Sequence, residues 1–180
     1  MLDAQALGAR LRAAERDLFR LETLDRYEVP TDGGDFARYA AGEDAPDPAR
    51  KAAWHERLRA ERERGLRRWR VHVVKEPLSD YLRFEFDWGH RLNAHLEDIR
   101  VLVLASPPAD RGWHDFWLVD GRDVLVMDYG PDGRFLGARP APADQVPSFR
   151  AIRDAAWEGG VPFTGWWAAH PQYHRHTRAA

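Results

Sequence analysis

Residues 69–104 read WRVHVVKEPLSDYLRFEFDWGHRLNAHLEDIRVLVL, and the fold turns on how this stretch divides. Its two ends, Trp69–Val74 and Ile99–Leu104, are short, apolar and β-branched, and each reads as a strand. The middle carries two periods at once. Leu82, Phe84, Phe86 and Trp88 alternate with Arg83, Glu85 and Asp87, as a strand would. Leu78, Tyr81, Leu82, Glu85, Trp88, Leu92 and His95 instead recur at helical spacing behind Pro77. A helix over Pro77–Leu96, capped by Ser79 or Asp80, brings the chain back for a second strand and makes a β-α-β unit of ordinary length.

Upstream of that unit, Asp3–Phe19 has helical spacing through Leu7, Leu11, Ala14 and Leu18, with Asp3 as its N-cap. An irregular stretch follows to Pro30, and Thr31–Gly34 reads as a turn. Asp35 caps a short helix stopped by Gly42, and Arg50–Gly65 is a longer one. Downstream, Asp115–Val119 and Arg122–Asp128 form a hairpin around Asp120-Gly121. Gly130–Gly133 turns the chain into a third strand, Arg134–Ala138. Ala141–Val161 reads as a closing helix, with Phe163–Trp167 as a last turn. The expectation is one α+β domain over residues 1–168, with N-terminal helices and a β-α-β unit running into an antiparallel meander. That makes one mixed sheet of about five strands before the closing helix. Residues 169–180 read as a flexible tail.

Composition narrows the classes of function. The chain has 180 residues, 44% hydrophobic and 31% charged, as a globular domain has. It has no Cys, so disulfides, thiolate metal sites and Cys nucleophiles are excluded. No signal peptide or lipidation signature is read, and no apolar run nears the ~20 residues of a membrane helix. A cytoplasmic protein is expected. Of 27 basic residues only Lys51 and Lys75 are Lys. Charge is uneven: Met1–Asp47 carries eleven acids and six bases, Arg50–Arg70 nine bases and three acids. This asymmetry marks either a partner surface or two halves of one fold neutralising each other.

Five segments carry a resemblance to a known family: FRLETLDRYEV at 19–29, EPLSDYLRFEFDW at 76–88, EDIRVL at 97–102, DFWLVDGRDVLVMDYGPDGRFLGA at 115–138 and VPFTGWW at 161–167. In that order the chain resembles an actinobacterial domain-of-unknown-function family, whose members are often encoded near helix-turn-helix regulators. The resemblance implies a stand-alone cytoplasmic protein in a regulatory setting, and it implies no particular activity. A weaker similarity is to phospholipase-D-like domains, which pair a His and a Lys on one strand with an Asp beyond. Here His72, Lys75 and Asp80 stand in those places with the spacing one residue too long. Side chains three apart on a strand point to opposite faces.

The catalytic candidates are therefore His72, Lys75 and Asp80, together with His114 and Asp115 as an acid–base pair. A binding face is read from Asp80, Tyr81, Arg83, Glu85 and Trp88, with Arg100 and Trp117. These same residues also read structurally, as a helix cap, intrahelical ion pairs and core aromatics. Arg100 is expected to pair with Glu85 or Asp128. His170, His174 and His176 invite a metal, although Pro171 weakens a shared helix face. No phosphate-binding Gly loop and no nucleophile elbow occurs. The reading is a non-catalytic regulatory or interaction domain with no cofactor. It would bind a protein partner, such as a helix-turn-helix regulator, or a small ligand. Direct nucleic-acid contact through Arg50–Arg70 is the lesser reading, since Glu56, Glu61 and Glu63 pair within that helix. The alternative is a hydrolase or phosphodiesterase-like enzyme using His and carboxylate groups.

Overall fold

In the computed structural model, which describes residues 1–28, 34–106 and 108–175, the β-α-β unit is the frame of the molecule. Strands β1 (Asp17–Glu22), β2 (Arg67–Val74) and β3 (Asp98–Val103) lie side by side in parallel. Parallel neighbours need long crossovers. Helices α2 (Asp35–Ala40) and α3 (Pro48–Glu63) supply the first. The second is a continuous helical segment: α4 (Asp80–Phe84), a π-helical turn (Glu85–His90) and α5 (Arg91–Asn93). β4 (Phe116–Val119) runs antiparallel to β1 and begins a meander through β5 (Asp123–Tyr129) and β6 (Phe135–Pro140). β7 (Val161–Pro162) pairs with the far edge of β3, giving the order β6-β5-β4-β1-β2-β3-β7. Helix α1 (Ala4–Arg12) precedes the sheet, and α6 (Val146–Gly159) and α7 (Phe163–Ala169) follow it.

The sheet is mixed, as expected, but has seven strands rather than about five. Both additions straddle the expected ends of helices, at Phe19 and Val161. The first helix stops at Arg12, and Asp120 at the β4–β5 turn takes over. Its carboxylate accepts from the amides of Glu15, Arg16 and Asp17 at 3.1, 2.7 and 3.2 Å, which starts β1. A cap arriving from a hundred residues away leaves no local signal. β7 is two residues long and follows α6 directly.

The helix reading of residues 81–88 holds, with Ser79 capping the Leu82 amide at 3.1 Å. The strand-like alternation has a packing cause. Leu82, Phe84, Phe86 and Trp88 are all buried, because this segment is enclosed on several sides. Phe84 meets Phe36, Trp88 meets Tyr39, and Phe86 meets Phe163 of α7, with ring centroids 5.4–5.5 Å apart.

The two faces of the sheet differ. One presents Phe19, Leu21, Trp69, Val71, Val73 and Leu102 to Phe149, Ile152 and Ala156 of α6. On the other, Val74, Ile99 and Val101 pack under the α4–α5 segment and α7. There β1 and β2 also place four polar residues in register, Arg20 beside Arg70 and Glu22 beside His72. The charge asymmetry resolves largely inside the fold, since Asp35 binds Lys51 at 2.9 Å and Arg50 at 3.2 Å. Tyr173 is buried and stacks on Trp166. Residues 29–33, 107 and 176–180 lie outside the described residues, and with them most of the Thr31–Gly34 turn and His176.

Candidate functional site

The polar residues on the inner face of β1 and β2 sit near the carboxyl ends of the parallel strands, where open α/β sheets tend to bind ligands. Alternation fixes their direction. In a strand, residues two apart share a face, so Arg20 and Glu22 point the same way, as do Arg70 and His72. The helical segment above adds Glu85 and His90. Five residues apart, these two would diverge by about 140° on an α-helix. The π turn widens the coil so that positions i and i+5 stack, and both reach the sheet.

The result is a dense buried network. His72 Nδ1 and His90 Nε2 are 3.2 Å apart, and His72 Nδ1 lies 3.7 Å from Glu22 Oε2. Arg70 donates to Glu22 Oε2 at 2.9 Å and to Glu97 Oε1 at 2.8 Å. Arg20 donates to Asp115 Oδ2 at 2.9 Å and to the Tyr129 hydroxyl at 2.8 Å, with Glu22 Oε1 at 3.6 Å. Asp115 also accepts from the Tyr27 hydroxyl at 2.7 Å and the Thr23 hydroxyl at 2.6 Å. Phe86 stacks on His90 at 5.0 Å and meets His72 edge-on at 5.4 Å, which fixes both rings.

Several atoms at the centre stay unpaired. Glu85 Oε2, Glu97 Oε2, Arg20 Nη1 and His72 Nε2 are buried with no hydrogen-bond partner among the described residues. The Leu24 carbonyl is near enough to His72 to favour its protonated ring, though no hydrogen bond closes. Electrostatics divide the two glutamates. Burial pushes the Glu22 carboxyl up, but Arg70, His72, Arg20 and His90 outweigh it and hold it far below the carboxylate range. Glu85 is pushed up to about 8 by burial and then by the charge of Glu22. Burial lowers His72, and burial with Arg70 and His72 lowers His90 well below its ordinary value. Both imidazoles are therefore neutral at pH 7, and the neutral imidazole is the form that binds metals.

Of the sequence candidates among the described residues, His72, Glu85 and Asp115 enter this network and the others do not. Lys75 lies exposed beyond the end of β2. The Asp80 side chain is 89% exposed, with Arg83 as an outlying neighbour at 3.8 Å. His114 is exposed while Asp115 points inward, so they form no acid–base pair. Tyr81 and Trp88 are core aromatics. Arg83 lies over the Tyr173 ring and donates to the Gln172 carbonyl. Arg100 does not pair with Glu85 or Asp128. It faces α6, across the sheet from Glu85, donates to the Trp157 carbonyl at 2.7 Å and lies over the Trp157 ring, while Asp128 binds Arg139. Trp117 lies between the guanidiniums of Arg20 and Arg68. His170 and His174 each contact a backbone carbonyl, of Trp166 at 2.6 Å and Trp167 at 2.7 Å, and stack on those indoles.

Sequence reasoning missed Glu22, Arg20, Arg70, His90 and Glu97. The available signal was alternation. In FRLE and WRVH, polar residues occupy every second position of otherwise apolar strands, the mark of a buried polar face.

No helix among the described residues is long and apolar enough to cross a membrane. No curated protein matches the chain. A family model described as a domain of unknown function, DUF6879, matches residues 5–168, and the chain belongs to that family.

Proposed function

We propose that this is a non-catalytic binding domain whose ligand seats in the buried cluster around Glu22 and His72. The observation that supports it is the set of orphaned polar atoms, above all Glu85 Oε2 and Glu97 Oε2. A buried acceptor without a partner costs about 1–3 kcal/mol, and native interiors keep few of them. A ligand that satisfied these atoms would explain why they gather at one place.

Burial favours binding over turnover. His72 is 0% and His90 1% exposed, so a hydrolase substrate would have to open the core to reach either. Of the other hydrolase candidates, Asp115 is buried in the same cluster, and Lys75, Asp80 and His114 are exposed outside it. Regulatory output through a protein partner belongs to the same reading. The π turn that points Glu85 and His90 inward also carries Asp87, which lines a surface cleft of about 240 Å³ with Arg91, His174 and Arg175. Ordering of that turn by a ligand would be felt at the cleft.

The test is native mass spectrometry of the full chain, purified gently from its native host, beside its E85Q variant. A bound mass present in the wild type and lost in E85Q supports the reading. Bare protein in both sinks it.

A further inference from the structure

We propose that Glu22, His72, Glu85 and His90 form a site for one divalent transition-metal ion of the zinc class. This rests on the binding reading above and names the ligand. Each of the four residues offers one ligand atom, and these atoms all lie within 4.8 Å of one another. Zinc bonds of about 2.0–2.1 Å set tetrahedral donors about 3.3 Å apart. The separations of 3.2 Å between the two imidazole nitrogens and 3.7 Å from His72 to Glu22 bracket that spacing.

Donor chemistry selects the class of ion. Two imidazole nitrogens and two carboxylates suit zinc, cobalt, iron or manganese, whereas calcium and magnesium take oxygen ligands. Charge agrees. Among the described residues, Glu22, Glu85, Glu97 and Asp115 gather around the guanidiniums of Arg20 and Arg70, so these six groups, fully ionised, carry a formal charge of −2, which one divalent cation cancels. The surroundings hold the ligands in place. Arg70 fixes Glu22, the Phe86 ring packs edge-on against His72, and the π turn supplies the other two ligands from one coil. A cleft of about 250 Å³ has Glu97 and Phe163 in its lining. Glu97 contacts Arg70, and the Phe163 ring meets the edge of His90 at 5.6 Å.

The experiment uses untagged full-length chain, stripped with chelator and titrated separately with Zn²⁺, Co²⁺, Mg²⁺ and Ca²⁺. One Zn²⁺ or Co²⁺ per chain is expected by native mass spectrometry, with a raised Tm and the intense visible bands of four-coordinate Co²⁺. H90Q and E85Q should weaken binding by more than about tenfold, the least that losing even an outer partner costs a metal site. The double variant H170Q/H174Q should bind as the wild type does. Because H90Q could unfold, the wild-type Co²⁺ form is also read by paramagnetic NMR for imidazole signals of two ligating histidines. No uptake of Zn²⁺ or Co²⁺, equal binding of Mg²⁺, or binding lost in H170Q/H174Q but kept in H90Q overturns the proposal. If the chain refuses every ion yet host-purified protein carries another ligand lost in E85Q, the metal fails and the binding domain stands. If neither is found, both fall.

Discussion

Arg70 joins two buried carboxylates, and removing it alone should be far more costly than removing it together with them. R70M strands Glu22 and Glu97. Glu22 keeps the Arg20 guanidinium at 3.6 Å, while Glu97, its Oε2 already unpaired, loses the donor of its Oε1. Leaving a buried charge without its partner costs about 3–5 kcal/mol. At roughly 2–4 °C per kcal/mol for a chain of this size, Tm should fall by about 6–20 °C. The triple variant E22M/R70M/E97M removes two negative charges and one positive. It leaves the Arg20–Asp115 pair intact at 2.9 Å, and burial still raises the remaining carboxyl, Glu85. Replacing a buried ionic group by apolar side chains of similar volume is often neutral or stabilising by about 1–4 kcal/mol. The triple variant should therefore recover most or all of the loss. Thermal and urea unfolding at pH 7, with chelator present, measure both. If the triple variant is as unstable as R70M, the cluster supplies net stability, and the argument that it is kept for a ligand collapses.

Asp120 offers a graded series, because it sits at a φ of 51° and holds three amides. D120G keeps the backbone freedom but loses the carboxylate and should cost about 2–3 kcal/mol; D120A adds about 1–2 kcal/mol for a left-handed L-residue; D120N should cost least. Burial raises the Asp120 carboxyl, yet the amides of Arg16, Asp17 and Glu15 outweigh it and hold it below its ordinary value. Its contribution is then whole above about pH 4 and is lost as pH falls through the lower folded value. Wild type and D120N should converge over that descent, and parallel stability curves would count against the assignment. Lys75→Ala and His114→Ala touch exposed positions and should each shift stability by less than about 0.5 kcal/mol while leaving ligand uptake unchanged. A loss of uptake in either would restore the surface-site reading. Gly89 lies in the π turn, where an added Cβ meets nothing closer than 3.7 Å. G89A should stabilise by about 0.5–1 kcal/mol through its helix preference, and a destabilised G89A would mean that the turn needs glycine's freedom.

The fold was legible wherever local chemistry and tertiary structure agreed. Asp3 and Ser79 cap helices as their types suggest. Asp120-Gly121 turns a hairpin with both residues at positive φ. The β-α-β unit followed from apolar ends around a helical middle. β1 was missed because Leu18 continues the helical series Leu7, Leu11, Ala14, while the cap that breaks the helix is Asp120, distant in sequence. The central strand of a mixed sheet, buried on both faces, also lacks the clean alternation of a surface strand.

The site was less legible, for a reason that follows from that one error. Asp115 and His72 are visible in the sequence, but distance along the chain pairs them with His114 and Lys75, and the expected partner of Glu85 is Arg100. Their actual neighbours come from register. β1 lies beside β2 so that Glu22 meets His72 and Arg20 meets Arg70. Without β1 there is no register, and the four residues cannot be brought together on paper. His90 needed a second departure, because five residues from Glu85 is the wrong spacing for an α-helix and the right one for a π turn. A π turn adds a residue to a helix at some cost in packing, and such turns are frequent at functional sites. The strand hidden behind a helical pattern and the helix widened by one residue converge on the same few ångströms. There two neutral imidazoles meet carboxylates with unpaired oxygens. Packing alone would fill such a volume with leucine and valine, as it does on the α6 side of the same sheet. The contrast between the two faces is the strongest argument that this interior is shaped for something besides its own stability.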